Sequence, residues 1–164
     1  MNIRPALLLI LSSLLVGLVA LTPGCGGDQP ADTAAEQAAA PAATGPQRSA
    51  ASPGATVFIF SPENGATVGS PVTVKFGISG VGIAPAGQHT PNSGHHHLLI
   101  DTELANPDQP IPADAQHLHY GKGQTEAAVE LEPGTHTLQL VLGDGNHIPH
   151  QPPIVSKVVT ITVE

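Results

Sequence analysis

The sequence predicts an all-β domain over residues 56–164: an antiparallel immunoglobulin-like β-sandwich of about seven strands. Three observations predict it. Short runs of β-branched and apolar residues alternate with a period of two, and Gly, Pro and Asn separate them at close intervals. No window of this region carries the 3.6-residue period of an amphipathic helix.

Residues 57–60 form the first expected strand, closed by Ser61-Pro62-Glu63-Asn64-Gly65, residue types that favour tight turns. Val72, Val74, Phe76 and Ile78 then fall on one face of a strictly alternating strand. His96, Leu98 and Ile100 make the apolar side of the next strand. Ala127, Val129 and Leu131 do the same in the strand over 125–131. Glu132-Pro133-Gly134 turns the chain into 135–142, where His136, Leu138, Leu140 and Leu142 share a face. The last strand, 156–163, sets Val159, Ile161 and Val163 together. Two connections, 79–94 and 102–116, are long for so small a sandwich, and ordered loops of that length are where function concentrates.

Residues 1–24 read as a signal peptide: Arg4 supplies the positive start, and an apolar run from 6 to 21 is broken only by Ser12, Ser13 and Gly17. Thr22-Pro23-Gly24 then precede Cys25. This resembles the lipobox of bacterial lipoproteins, with Thr22 where that motif usually has an aliphatic residue, and implies that Cys25 is lipidated. A retained membrane-spanning helix is the alternative, and either reading places the domain in the cell envelope, outside the cytoplasm. From Cys25 to residue 55 the chain is rich in Ala, Pro, Gly, Gln and Thr without a hydrophobic period, the composition of a disordered tether.

Removing Arg4 from the 5 Lys and Arg leaves 4 against 13 acidic residues, a mature charge near −9. With no basic patch to replace phosphate counterions, nucleic acid is excluded as a partner. Cys25 is the sole cysteine, so no intrachain disulfide supports the fold. The four aromatic residues, Phe58, Phe60, Phe76 and Tyr120, are expected mostly in core positions, which argues against a glycan-binding face.

The histidines carry the chemistry. All nine lie between His89 and His150. Strand alternation projects His95 and His97 to the outer face, about 7 Å apart at Cα, and turns His96 toward the core. His117 and His119 repeat that spacing around Leu118, and one loop supplies Asp144, His147 and His150. Neutral imidazole is the commonest metal ligand. The expected metal ligands are therefore His95, His97, His119, His147 and His150, with Asp144 as a carboxylate. A lone His89 is more often an ordinary polar residue, and His96 and His136 share faces with core leucines, which makes them structural. The domain has no Cys and no Met, which excludes a thiolate or thioether Cu(I) site; imidazole sites suit Cu(II), Zn(II) or Ni(II).

The opening from Ser61 to Val74 resembles the start of many bacterial immunoglobulin-like modules. Three ordered blocks are more specific: Gly94-His95-His96-His97-Leu98-Leu99-Ile100-Asp101, His119-Tyr120-Gly121-Lys122-Gly123-Gln124-Thr125-Glu126, and Gly143 to Pro153. Together they resemble the bacterial domain of unknown function 4399 family over about 90–164. The resemblance implies a small secreted or periplasmic domain without an established activity.

Three functions are compatible with these residues. The first is an extracytoplasmic metal-binding module for copper or zinc, without turnover of its own. The second is a recognition or structural module of the envelope, whose histidines bind a partner or respond to pH; the fold does not decide between the two. The third, a metal-dependent hydrolytic enzyme with Asp101 or Glu126 as the acid, is the least favoured, because ligands alone do not make a catalytic site.

Overall fold

Alternation of apolar and polar residues builds nine β-strands and no helix among the described residues, 47–164 of the computed structural model. The expected signal peptide, Cys25 and the tether up to residue 46 lie outside the described residues. The strands are β1 (Thr56–Ser61), β2 (Thr67–Val68), β3 (Val72–Ser79), β4 (Gly82–Ile83), β5 (Ser93–Ile100), β6 (His117–Tyr120), β7 (Glu126–Val129), β8 (Gly134–Gly143) and β9 (Val159–Val163).

They form two sheets. One is three-stranded, in the order β1-β3-β7; the other is six-stranded, running β2-β9-β8-β5, with β4 and β6 sharing the far edge of β5. The chain first changes sheets near its start. β1 pairs antiparallel with β3, and after the turn at Asn64 and Gly65, β2 pairs parallel with β9. Gly65 adopts φ 84°, its N–H donates to the Thr160 carbonyl at 2.7 Å, and the Asn64 side-chain oxygen accepts from the Thr160 N–H at 2.8 Å. This is the architecture of an immunoglobulin-like sandwich, as the strand pattern predicts.

The core lies between the sheets. Val57, Val72, Val74, Phe76 and Val129 come from the small sheet; Leu98, Ile100, Leu138, Leu140, Leu142, Val159, Ile161 and Val163 come from the large one. At roughly 1.5–3 kcal/mol for each large apolar side chain buried, this layer supplies most of the gain that offsets chain entropy. The expected last strand begins three residues later than residue 156. There the Ser156 hydroxyl accepts from the Leu140 N–H at 2.9 Å, while the Ser156 N–H donates to the Leu140 carbonyl. A side chain in the ladder ends regular pairing at that point.

Two expectations are corrected. Residues 48–55, assigned by composition to the tether, run against the domain: the Ala51 N–H donates to the Gln151 carbonyl at 2.9 Å, and the Gln151 N–H to the Ser49 carbonyl at 2.8 Å. Phe58 and Phe60 are not core residues; they are 43% and 71% exposed. Both occupy alternate positions of β1 that face away from the core, and the Phe58 ring lies over Gly77, where any side chain would overlap it. Only Phe76 is buried, with Tyr120 packed on it at 4.9 Å between ring centroids.

The outer face of the large sheet is not open. Leu99 and Val141 lie there under Ile111 and Leu104, which belong to the long connection between β5 and β6. That loop folds over the sheet and makes a second, smaller apolar cluster. Every residue of β5 is buried.

Candidate metal centre

β5 is the strand on which the centre is built. Its antiparallel register sets His97 opposite His119 of β6 and, on its other side, opposite Val141 of β8; His95 stands opposite Gly143. Directly paired residues of antiparallel strands project to the same face. His95, His97 and His119 therefore converge on the loop-covered side of the sheet, while His96 turns into the sandwich core against Phe76, 5.1 Å between centroids.

The convergence is close. The His95 and His97 Nε2 atoms are 3.0 Å apart, and one ring nitrogen from each of His95, His97 and His119 falls within 4.8 Å of the others. His147 completes a four-imidazole cluster, its ring centroid 4.8 Å from His119, 5.0 Å from His95 and 5.9 Å from His97. His95 and His97 are fully buried, whereas His119 is exposed, so the cluster opens to solvent on the β6 side.

Two glycines make room for the rings. A Cβ at Gly143 would lie 2.9 Å from His97 Nε2, and one at Gly121 would overlap the His119 imidazole. Loops then close around the cluster. The Ala86 N–H donates to the Gly121 carbonyl at 2.9 Å and the Gly87 N–H to the Gly145 carbonyl at 3.0 Å, so the connection between β4 and β5 ties together the segments flanking the site. On the other side, the Ile111 N–H donates to the His147 carbonyl at 2.9 Å.

His147 is held in an uncommon backbone conformation, φ 66°, which costs a non-glycine residue about 1 kcal/mol or more and tends to concentrate at functional sites. Asp144 sustains it. One carboxylate oxygen accepts from the Asn146 N–H at 2.8 Å and the Ile148 N–H at 3.1 Å; the other accepts from the Ser49 hydroxyl at 2.9 Å; and the Asp144 carbonyl accepts from the His147 N–H at 2.9 Å. Burial pushes the Asp144 carboxyl up, but the donors from Asn146, Ser49 and Ile148 outweigh it and hold it below the usual range. Asp144 is thus the organiser of the loop that presents His147.

Burial and mutual proximity favour the neutral form of His95, His97 and His119. Burial first, then the neighbouring His119 and His147, lower the pKa of His95 to about 4, against a smaller opposing pull from Asp144. Burial, then His95, His119 and His147, lower that of His97 to about 2. His119, exposed at the rim of the cluster, is lowered by partial desolvation and then by His147. Neutral imidazole is the form that ligates a metal. The Nδ1 atoms of both His95 and His97 are buried without a hydrogen-bond partner. In the cluster itself, the 3.0 Å contact satisfies only one donor and one acceptor of the four ring nitrogens of this pair.

The other sequence-derived candidates lie elsewhere. His150 is buried on the opposite face of β5, its Nδ1 3.3 Å from the Leu142 carbonyl and its ring against Gly94. Pro149 bridges Gly143, and chain alternation there turns the next side chain away from the cluster. Asp144 has both oxygens committed to the loop and Ser49. His117 pairs with Asp114 at 2.8 Å and His136 with Asp101 at 2.7 Å. Asp101 also accepts from the Thr137 N–H, and Glu126 stands on the small sheet opposite Lys75, so neither acid considered for catalysis joins the histidine group. Sequence reasoning missed Gly121, Gly143, Arg48 and Ser49. The glycines follow the histidine blocks closely enough to have been suspected, whereas Arg48 and Ser49 sit in a composition that gives no such signal.

A family model described as a domain of unknown function, DUF4399, matches residues 74–164, a span that contains all four clustered histidines. No curated protein and no solved structure matches the chain.

Proposed function

The chain belongs to the DUF4399 family, and from that premise we propose that it is an extracytoplasmic, non-catalytic metal-binding module that holds Cu(II) or Zn(II) through His95, His97, His119 and His147. The observation that carries this reading is the convergence of three imidazole nitrogens within 4.8 Å on a buried strand, with two of them 3.0 Å apart. Ligand nitrogens about 2.0–2.1 Å from one ion stand roughly 3.0–3.4 Å from each other, so the pair is already near the spacing an ion imposes. An ion on the Nε2 side would take up the lone pairs that the two rings otherwise have only each other to share. The all-nitrogen donor set favours Cu(II) and Zn(II) over Cu(I). In the same reading the chain is a lipoprotein anchored to a membrane through Cys25, and a metal-handling protein of the envelope is its natural partner.

The reading is tested on the full chain carrying Cys25→Ser, which removes the only thiol. After chelator treatment and re-equilibration with Cu(II) or Zn(II), about one ion per chain is expected in the parent and a strong loss in His97→Ala. No retained ion at micromolar metal would sink it.

A recognition module is the second reading, and a specific observation favours it: Phe58 and Phe60 are exposed on β1 and, with Val155 and Val158, are the exposed large hydrophobics of the described residues. Partner capture that is unaffected by a chelator and abolished by Phe60→Ser would support it over the metal reading.

A further inference from the structure

The chain that leads into the domain reaches the loops of the metal centre. Arg48 donates from Nε to the Pro149 carbonyl at 3.0 Å and from a terminal nitrogen to the His150 carbonyl. Its other terminal nitrogen pairs with Asp108 at 2.9 Å. One guanidinium therefore clamps the loop after β8 to the loop between β5 and β6, which is itself tied to the His147 carbonyl through Ile111. Next to it, the Ser49 hydroxyl holds Asp144, whose second oxygen binds the amides on both sides of His147. The Arg48 side chain is only 11% exposed, although the Asp108 carboxylate is 70% exposed. The carbonyl contacts, not the solvent-screened ion pair, thus make up the sheltered part of the clamp.

We infer that Arg48 and Ser49 form a strap that positions His147 at the histidine cluster, coupling the metal centre to the segment that joins it to the rest of the chain. The inference rests on the metal reading for its functional meaning and on the hydrogen bonds for its geometry. His147 sits in a backbone conformation that an unsupported loop would leave, since the left-handed region is unfavourable for a side chain of this kind. Three supports hold it there: Asp144 from within the loop, Ile111 from the covering loop, and the strap that braces both. The fixed fork of arginine suits this work, because five donors in one rigid plane serve several acceptors in a set geometry, whereas lysine offers three rotatable donors on a flexible stem. Anything that pulls residues 48–51 away from the domain removes the fourth imidazole and leaves His95, His97 and His119 on the rigid sheet. Arg48 is thus a positioning residue, acting through His147.

The test compares Arg48→Gln, His147→Ala and the double variant in the full chain carrying Cys25→Ser, with Cu(II) as the probe. The strap predicts that Arg48→Gln raises the Cu(II) Kd about 10- to 100-fold, the usual consequence of losing the support behind a ligand. It also predicts that pulsed EPR counts one fewer coupled imidazole, and that adding His147→Ala changes neither value further. A second readout needs no metal: in the metal-free protein, amide exchange at His147 and Ile148 should accelerate by about tenfold or more in Arg48→Gln, with Leu98 unchanged as a report on the fold. Exchange equal to the parent's, or Cu(II) effects of Arg48→Gln and His147→Ala that simply add, would overturn the strap. A parent that takes up no Cu(II) would bring down the metal reading alone, and the exchange data would still decide whether the strap holds the loop.

Discussion

His95 and His97 face each other across 3.0 Å on one side of β5, fully buried, while the Nδ1 atom of each lacks a partner. Without an ion, burial favours the neutral form of both rings. The unfolded chain carries both with a pKa near 6.5, against about 4 for His95 and about 2 for His97 in the folded state. Between those values the unfolded state binds more protons, so stability rises with pH across this window and falls as pH drops. The metal-free full chain should therefore lose thermal stability progressively below pH 6.5 toward pH 4, measured by Tm across buffers of constant ionic strength. Bound Cu(II) or Zn(II) should shift that loss to lower pH, since protons and the ion compete for the same nitrogens. A metal-free Tm that is flat from pH 7 to pH 4.5 would contradict the buried neutral pair.

His136 should behave with the opposite sign. The hydrogen bond to Asp101 comes first, then that to the Glu132 carbonyl, and together they raise its pKa. A raised histidine contributes stability that is fully present below its unfolded pKa near 6.5 and is lost as pH rises through the folded value. His136→Ala should abolish that alkaline-side loss and leave metal uptake unchanged. Because the Asp101 side chain is 44% exposed, solvent screening limits the effect to about 1 kcal/mol or less. Denaturant midpoints of parent and variant at pH 5.5 and pH 8.5 would show it: the two should differ more at the lower pH.

The framework was legible in the sequence because period-two alternation is imposed by the strand itself. Val72, Val74 and Phe76, or Leu138, Leu140 and Leu142, can bury together in only one way. The same rule separates His95 and His97 from His96, and it pairs His119 with them once β6 is docked. What alternation does not report is what covers a face. His95 and His97 lie buried rather than on an open outer surface, and on that same face Ile111 and Leu104 cover Leu99 and Val141 from a segment without periodicity. Nor does composition reveal a strap: Arg48 and Ser49 lie among residues typical of a linker, and their contacts are made to residues about a hundred positions away. His147 and His150 were equivalent by spacing; backbone direction at Pro149 sends them to opposite faces.

The two glycines beside the rings should separate metal affinity from stability. Gly143→Ala introduces a methyl group 2.9 Å from His97 Nε2 in a fully packed region, where overpacking costs about 1–3 kcal/mol. Gly121→Ala overlaps the ring of His119, which is exposed and free to swing toward solvent. Both substitutions should weaken Cu(II) binding. Only Gly143→Ala should also lower the metal-free Tm, a contrast readable from one thermal scan and one titration per variant.

The last prediction sets His119 against His150, which sequence spacing alone does not distinguish. His119 lends a nitrogen to the cluster from the surface, so His119→Ala should weaken metal binding strongly while leaving metal-free stability within about 0.5 kcal/mol, as expected of an exposed position. His150 is 1% exposed and bonded to the Leu142 carbonyl on the far face of β5. Its removal leaves a cavity and an unpaired acceptor, so His150→Ala should cost about 1–3 kcal/mol and leave the ion's ligand set intact. Urea midpoints of the metal-free variants and the Cu(II) EPR spectra of the loaded ones give the two readouts. A normal spectrum for His119→Ala with an altered one for His150→Ala would mean that the ion sits on the opposite face of β5, and the assignment of His95, His97 and His119 as its ligands would have to be withdrawn.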